Sequence, residues 1–283
     1  MINEYLIQLL TLISIYIIVV LSLNLAMGFT GLINLGHMVF FGVGAYTSAL
    51  LTLHGIPWYV AIFIAGFISS LLGILIAGIT SRLKGDYLAM VTLGLIFISV
   101  AISRNWVALT RGALGLPGIP EIIKNNFYYS IFTFMISASC IFFFYKLVNS
   151  QTGKIFQAIR DDETAAKILG KNTYFYKILS IAISTFFTGI AGSLFAHHIR
   201  YIDPTIFNLE FFMLILLMLI AGGLASIKGS IFGVVVLLIL AESLRFVIVS
   251  PAFIGAAREM MFSIMMIIIL LFKPRGIFGK VDV

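Results

Sequence analysis

About nine separate apolar runs, each about twenty residues long, constrain this chain more than any other feature of it. They fall at roughly 5–27, 32–53, 58–80, 86–103, 127–148, 177–198, 206–225, 229–250 and 256–272. An α-helix rises about 1.5 Å per residue and a bilayer hydrocarbon core is about 30 Å thick, so each run can cross a membrane as a helix. Transmembrane β-strands would instead show segments of about ten residues with alternating polarity. Composition points the same way, because 61% of the 283 residues are hydrophobic, 10% are charged and mean hydropathy is +1.14. A single water-soluble core cannot hide that much apolar surface. The expected fold is all-α: a polytopic integral membrane protein of about eight to ten transmembrane helices, some of them open to being broken or re-entrant, the Gly-rich second run first among these.

The net charge of +7 would suggest nucleic acid in a soluble domain. In a membrane protein it matches the Lys and Arg excess that keeps loops cytoplasmic, so no nucleic-acid partner is required. With the loop 149–176 inside, strict alternation also places Arg82, Lys84, Lys228, Lys273, Arg275 and Lys280 inside. About twelve cations are then inside and about six outside, with the N-terminus external and "FKPRGIFGKVDV" cytoplasmic. Trp58 and Trp106 fall at external span ends, where belt residues belong. The first apolar run is too long for a signal-peptide core and has no small-x-small cleavage site, so it reads as a retained span. Cys140 stands alone, leaving neither an intrachain disulfide nor a metal-ligand spacing. No linker interrupts the chain, and residues 1–283 read as one membrane domain. A faint similarity between "GLINLGHMVFFGVG" and "GLASIKGSIFGVVV" suggests an internal repeat of the transporter kind.

Two connections exceed simple turns. The external one, "RNWVALTRGALGLPGIPEIIKNN" (104–126), holds too much Gly and Pro for a continuous helix. The internal one carries "RDDETAAKILG" (160–170), in which five charges crowd together. The spacing predicts a helix over 161–169, with acids at its positive end and Gly170 where a C′ glycine would stop it. Glu163 and Lys167 stand four apart in the favourable order. Ala165, Ile168 and Leu169 form a narrow apolar stripe, and Ile155, Phe156 and Ile159 form another upstream. An amphipathic helix with a small-residue waist at Ala165 and Ala166 can enter a groove on a partner protein. It can equally lie on its own bilayer with its bases on anionic lipid, although consecutive acids oppose that.

Polar groups within the spans are costly and mark candidate functional positions. Asp86 reads as an interfacial cap paired with Lys84 or as a gating residue. Glu242 and Arg245 read as a pair facing the bundle interior or as path lining, while Arg258 and Glu259 fall at the external interface. Asn24, Asn34 and His37 bracket a Gly-rich segment and suit interhelical hydrogen bonding or substrate contact. His197 and His198 point about 100° apart on a helix, so they cannot share a metal and read as interface residues. Gly42, Gly44, Gly189 and Gly192 serve helix packing. No catalytic triad, zinc-ligand set or paired carboxylate has the polar setting that chemistry needs, and no Walker A sequence is present. The chain reads as a non-enzyme without bound cofactor or metal.

"RDDETAAKILGKNTYFYKILSIAISTFFTGIAGSLFAHH" closely resembles the cytoplasmic loop and following span of permeases of branched-chain amino acid ABC transporters, the LivM type. The resemblance continues through "LSLNLAMGFTGLINLGHMVFFGVGAY", "KGDYLAMVTLG", "LPGIP", "GGLASIKGSIFG" and "LFKPRGIFG", in family order. It implies that the loop is a form of the EAA loop that contacts ATPase subunits. Glu163, Ala165, Ala166 and Gly170 would then be docking positions, with Arg160, Asp161 and Asp162 on the approach. It also implies a homologous LivH-like second permease, two ABC ATPases that bind ATP and Mg, an extracytoplasmic substrate-binding protein, and residence in the bacterial plasma (inner) membrane. The substrates implied are leucine, isoleucine and valine. Related permeases import urea or short amides, which is one alternative. An ion-driven secondary transporter, for which Glu242 is the available ionisable residue, is another. In the external loop Arg111 and Ala113 replace the small and proline residues usual in the family.

Overall fold

Among the described residues, each apolar run contributes a helix. The computed structural model describes residues 2–80, 83, 85–247, 251–273 and 275–279, with the side chains of 2–3, 244–247, 251–254, 256 and 270 left aside. The helices are α1 (Ile2–Asn24), α2 (His37–Leu53), α3 (Trp58–Thr80), α4 (Asp86–Asn105), α5 (Val107–Thr110), α6 (Asn126–Asn149), α7 (Gln151–Asp161), α8 (Glu163–Ile168), α9 (Thr173–Ile199), α10 (Leu209–Gly222), α11 (Ile227–Val247) and α12 (Pro251–Phe272). Among the described residues, α1 with its extension, α3, α4, α6 and α9 are each long and apolar enough to cross a membrane. The chain is a multi-pass membrane protein.

Local chemistry sets the helix starts. Asn125, Asn172 and Asn208 each accept a hydrogen bond from a backbone N–H in the first turn of α6, α9 and α10. Each such cap stabilises a helix start by about 1 kcal/mol. Between α4 and α6 the chain forms α5, a short 3₁₀ turn and a two-residue strand, β1 (Leu116–Pro117), which pairs antiparallel with β2 (Tyr201–Ile202). The Gly- and Pro-rich connection is thus non-continuous, as its composition requires. Arg111 adopts a left-handed φ of 58° there.

Helix α9 is the hub of the bundle, packed along α2, α3 and α1. Close approach explains its small residues. A Cβ on Gly44 would lie 2.3 Å from the Gly189 carbonyl oxygen, and one on Gly192 would lie 2.0 Å from that of Phe41. Without side chains at these points the backbones meet, and dispersion and hydroxyl bonds replace the hydrophobic effect that lipid removes. Large apolar residues such as Phe67, Ile79 and Met135 point outward. That arrangement would aggregate in water and has no such cost in a bilayer.

Two of the apolar runs are interrupted. Helix α1 passes into a π-turn, Leu25–Phe29, and residues 30–36 are non-helical before α2 begins. Helix α10 spans only 14 residues, about 21 Å of rise, and stops at a second break, 223–226, before α11. These interruptions fall on the two stretches that look alike in sequence. Both lie at the end of the bundle that carries α7 and α8.

Candidate functional site

The charged stretch folds differently from a single helix over 161–169. Helix α7 ends at Asp161, and Asp162 turns to extended backbone at φ −155°. Its carboxylate accepts from the N–H groups of Thr164 (2.8 Å) and Ala165 (3.0 Å), opening α8. Asp caps readily because a short side chain reaches the N2 and N3 donors, so the middle acid splits the segment instead of continuing it. Gly170, at φ 76°, ends α8 as expected. Its N–H bonds to the Lys167 carbonyl at 2.9 Å and the Lys171 N–H bonds to that of Ala166 at 3.1 Å, which is a Schellman closure.

Glu163 anchors this short helix. Its carboxylate bonds Lys167 at 2.9 Å, the expected i,i+4 pair, and Lys177 of α9 at 2.6 Å. Burial alone would raise its pKa, but hydrogen bonds and charge from Lys177 and Lys167 outweigh this and hold it at about 2. Ala166 is buried against the protein, while Ala165 faces outward. Ile168 and Leu169 are 81% and 75% exposed. The upstream stripe turns inward, with Phe156 and Ile159 buried.

Arg160 connects the segment to the bundle. It pairs with Asp161 at 2.7 Å, and its Nη1 donates to the Gly28 carbonyl in the π-turn at 3.0 Å. Four residues earlier, Asn24 is fully buried. Its Oδ1 accepts from the Ala225 N–H at 3.0 Å, while its Nδ2 donates to the Ser226 carbonyl at 3.2 Å and to Ser230 Oγ at 2.7 Å. Asn24 therefore occupies the second break.

His37 is fully buried, and its Nε2 meets Ser22 Oγ at 3.0 Å and Thr188 Oγ1 at 2.7 Å. Its Nδ1 has no hydrogen-bond partner among the described residues. Asn34 lies buried in the first break, near His37 in sequence but on the non-helical side. Asp86 is exposed in the first turn of α4, and its expected partner Lys84 lies outside the described residues. Thus Asn24, His37 and Arg160 gather around the π-turn and its neighbours, whereas Asp86 stands apart.

A family model described as the branched-chain amino acid transport system permease component matches residues 5–271. The chain belongs to that permease family. It is 28% identical to "High-affinity branched-chain amino acid transport system permease protein LivM" of Escherichia coli K12, over 98% of this chain and 71% of the relative. It is 25% identical to the LivH permease of Salmonella typhimurium, over 96% of this chain and 94% of the relative. Of solved structures, "PsaBC from Streptococcus pneumoniae in complex with Fab" aligns at a TM-score of 0.50 and 16% identity, covering 95% of this chain and 91% of that one, a likeness of fold. The relatives named here are all permeases of branched-chain amino acid transport, so the urea, amide and ion-driven alternatives are not favoured.

At the opposite end of the permease, Glu242 pairs with Arg258 of α12 at 2.9 Å and accepts from the Tyr5 hydroxyl. The partner expected from spacing was Arg245, whose side chain lies outside the described residues. His197 is buried, its Nδ1 meeting the Pro120 carbonyl at 2.9 Å and its Nε2 meeting Ser48 Oγ at 2.9 Å near the end of α9. Those bonds tie "LPGIP" to α2 and α9. Two open cavities of about 480 Å³ each flank the start of α10 and share Leu209 and Glu210. One reaches Arg104 on α4 and the other reaches Glu259 on α12.

Proposed function

We propose that this permease forms half of the translocation path of an ABC importer for leucine, isoleucine and valine. A homologous LivH-like permease supplies the other half. Two separate ATPase subunits bind ATP and Mg and drive the cycle, and an extracytoplasmic binding protein delivers substrate. The chain itself is a transport subunit rather than an enzyme. It resides in the bacterial plasma membrane with the α7–α8 end cytoplasmic and the N-terminus external.

The observation that carries this reading is α8. A helix this short has no stability of its own, yet it is capped at both ends and tied to α9 by Glu163 and Lys177. Its tip presents Ile168 and Leu169 to the outside, beside basic residues that favour the cytoplasmic face. A rigid apolar pair beyond the bilayer fits a groove on a partner protein. Arg160, Asp161, Asp162, Glu163, Ala165, Ala166 and Gly170 are the proposed docking positions, with Ile168 and Leu169 added as the anchor.

The test is co-purification of ATPase subunits with the tagged permease in detergent, followed by radiolabelled leucine uptake in vesicles. Leu169→Asp and Gly170→Trp are each expected to abolish ATPase capture and uptake together. Capture and uptake at the level of the unaltered protein in both variants would overturn the docking assignment.

A further inference from the structure

We infer that the α10–α11 break at 223–226 is the part of this permease that moves with the ATPase-docking segment, and that Arg160, Gly28 and Asn24 form the link between them. The inference rests on the docking reading above and names the internal parts through which docking would act.

The link is continuous in hydrogen bonds. Arg160, the last cation of α7, is largely buried and donates to the Gly28 carbonyl. That carbonyl lies in a π-turn, where widening of the backbone ladder leaves acceptors available to side chains, and such turns recur at functional positions. Gly28 also makes room for the next step. A Cβ there would lie 1.9 Å from Asn24 Oδ1 and 2.6 Å from the Ala225 nitrogen. Asn24 then reaches across to Ala225, Ser226 and Ser230 with both ends of its amide. The docking segment thus touches the end of α1, and the end of α1 grips the break between α10 and α11.

The gripped element is poised to change. Ala225 sits at φ 57°, a left-handed conformation in which a Cβ crowds the backbone. Such strain persists where surrounding contacts over-determine it. Here the contacts are the Asn24 amide and the segment after α12, whose Ile277 and Phe278 N–H groups bond to the carbonyls of Ala221 (3.1 Å) and Gly222 (3.0 Å). Beyond the break, α10 runs between the two cavities at the opposite end. A change in backbone at 223–226 re-aims α10 against both. Non-helical backbone is tolerated in a membrane protein where protein buries it, and Gly223, Ala225 and Ser226 are buried.

The experiment uses the whole transporter, assembled with the second permease, the two ATPases and the binding protein in proteoliposomes. ATPase capture, ATP hydrolysis and leucine uptake are measured for Arg160→Met, Asn24→Ala and the double variant, with size-exclusion profiles to confirm folding. Expected are ATPase capture as in the unaltered protein for Asn24→Ala, a fall of roughly tenfold in leucine moved per ATP in each single variant whatever fraction of the ATPase Arg160→Met captures, and no further fall in the double variant. Unchanged leucine per ATP in the single variants overturns the inference, and so does a double variant whose loss is the product of the two. If Asn24→Ala does not fold, Ser230→Ala removes one of the three bonds and is expected to lower leucine per ATP by about threefold. Failure of the unaltered permease to capture any ATPase overturns the docking reading itself.

Discussion

The two helix breaks carry the same dipeptide, Gly-Leu, at 31–32 and 223–224, and stand at the same end of the bundle, yet they are held in opposite ways. The first, 30–36, is secured by its neighbours one contact at a time. Thr92 of α4 accepts from the Leu35 N–H at 3.1 Å, and Thr30 Oγ1 meets Ser180 of α9 at 2.6 Å. At the second, 223–226, a single side chain, Asn24, bonds Ala225, Ser226 and Ser230, beside Ser230 on the Ser226 carbonyl and the 277–278 backbone on the end of α10. Many modest contacts distribute the loss when one is removed, whereas a single buried amide concentrates it. The second break is therefore the more fragile and the more easily switched.

That contrast can be broken by substitution. The largest effect is expected from Asn24→Leu, which strands the Ala225 N–H in the interior at about 1–3 kcal/mol and removes the bonds to Ser226 and Ser230. Thermal unfolding of the purified permease in detergent should shift strongly downward. Next is Gly223→Ala. At φ 108° the new Cβ would lie 2.2 Å from the Gly279 nitrogen, which is backbone and cannot swing aside. The matching change in the first break, Gly31→Ala, meets Arg160 Cγ at 2.9 Å and its Cα at 3.2 Å, looser than the 2.2 Å approach at Gly223, and should cost less in the same assay. An equal shift for the two would remove the asymmetry. Thr92→Val deletes a single acceptor and is expected to cost about 1 kcal/mol, leaving the melting profile nearly intact.

The smallest effect separates both breaks from α8. Glu163 has a folded pKa of about 2 against an ordinary value of 4.5. A depressed carboxylate contributes stability that is complete above its ordinary value and is lost as pH falls from there through about 2. Protection factors of the α8 amides, observed exchange divided into the intrinsic rate at each pH, should fall across that window, while residues 30–36 and 223–226 keep theirs. Glu163→Gln should exchange faster at neutral pH and show no such acid dependence. Acid-induced exchange spreading to either break would mean that α8 and the breaks unfold as one unit.

Much of this was legible in the sequence because it depends on neighbours along the chain. Apolar length marks a span, asparagine marks a helix start and Gly170 marks a helix stop, each through chemistry within a turn or two. The Glu163–Lys167 pair follows from helical spacing. Asp162 also carried a local signal, since Asp is a strong cap, but among three consecutive acids nothing local says which one turns. The rest depends on how helices rotate against one another. Lys177 reaches Glu163, and Arg258 meets Glu242, because separate helices bring them together. Asn24 was legible as an interhelical hydrogen-bonding residue, but not as the occupant of a break about two hundred positions away. The role of "GIFG" at 276–279 in closing that break left no periodic trace.

The bonds from Ile277 and Phe278 to Ala221 and Gly222 also impose an order on assembly. The last carbonyls of α10 gain these partners only after α11 and α12 have both entered the bilayer and the chain has emerged on the far side of α12. Until then α10 has an open end. The nascent permease must keep that end near water or near the insertion machinery, so the seventh apolar run is expected to be the last to settle, although two more follow it from the ribosome.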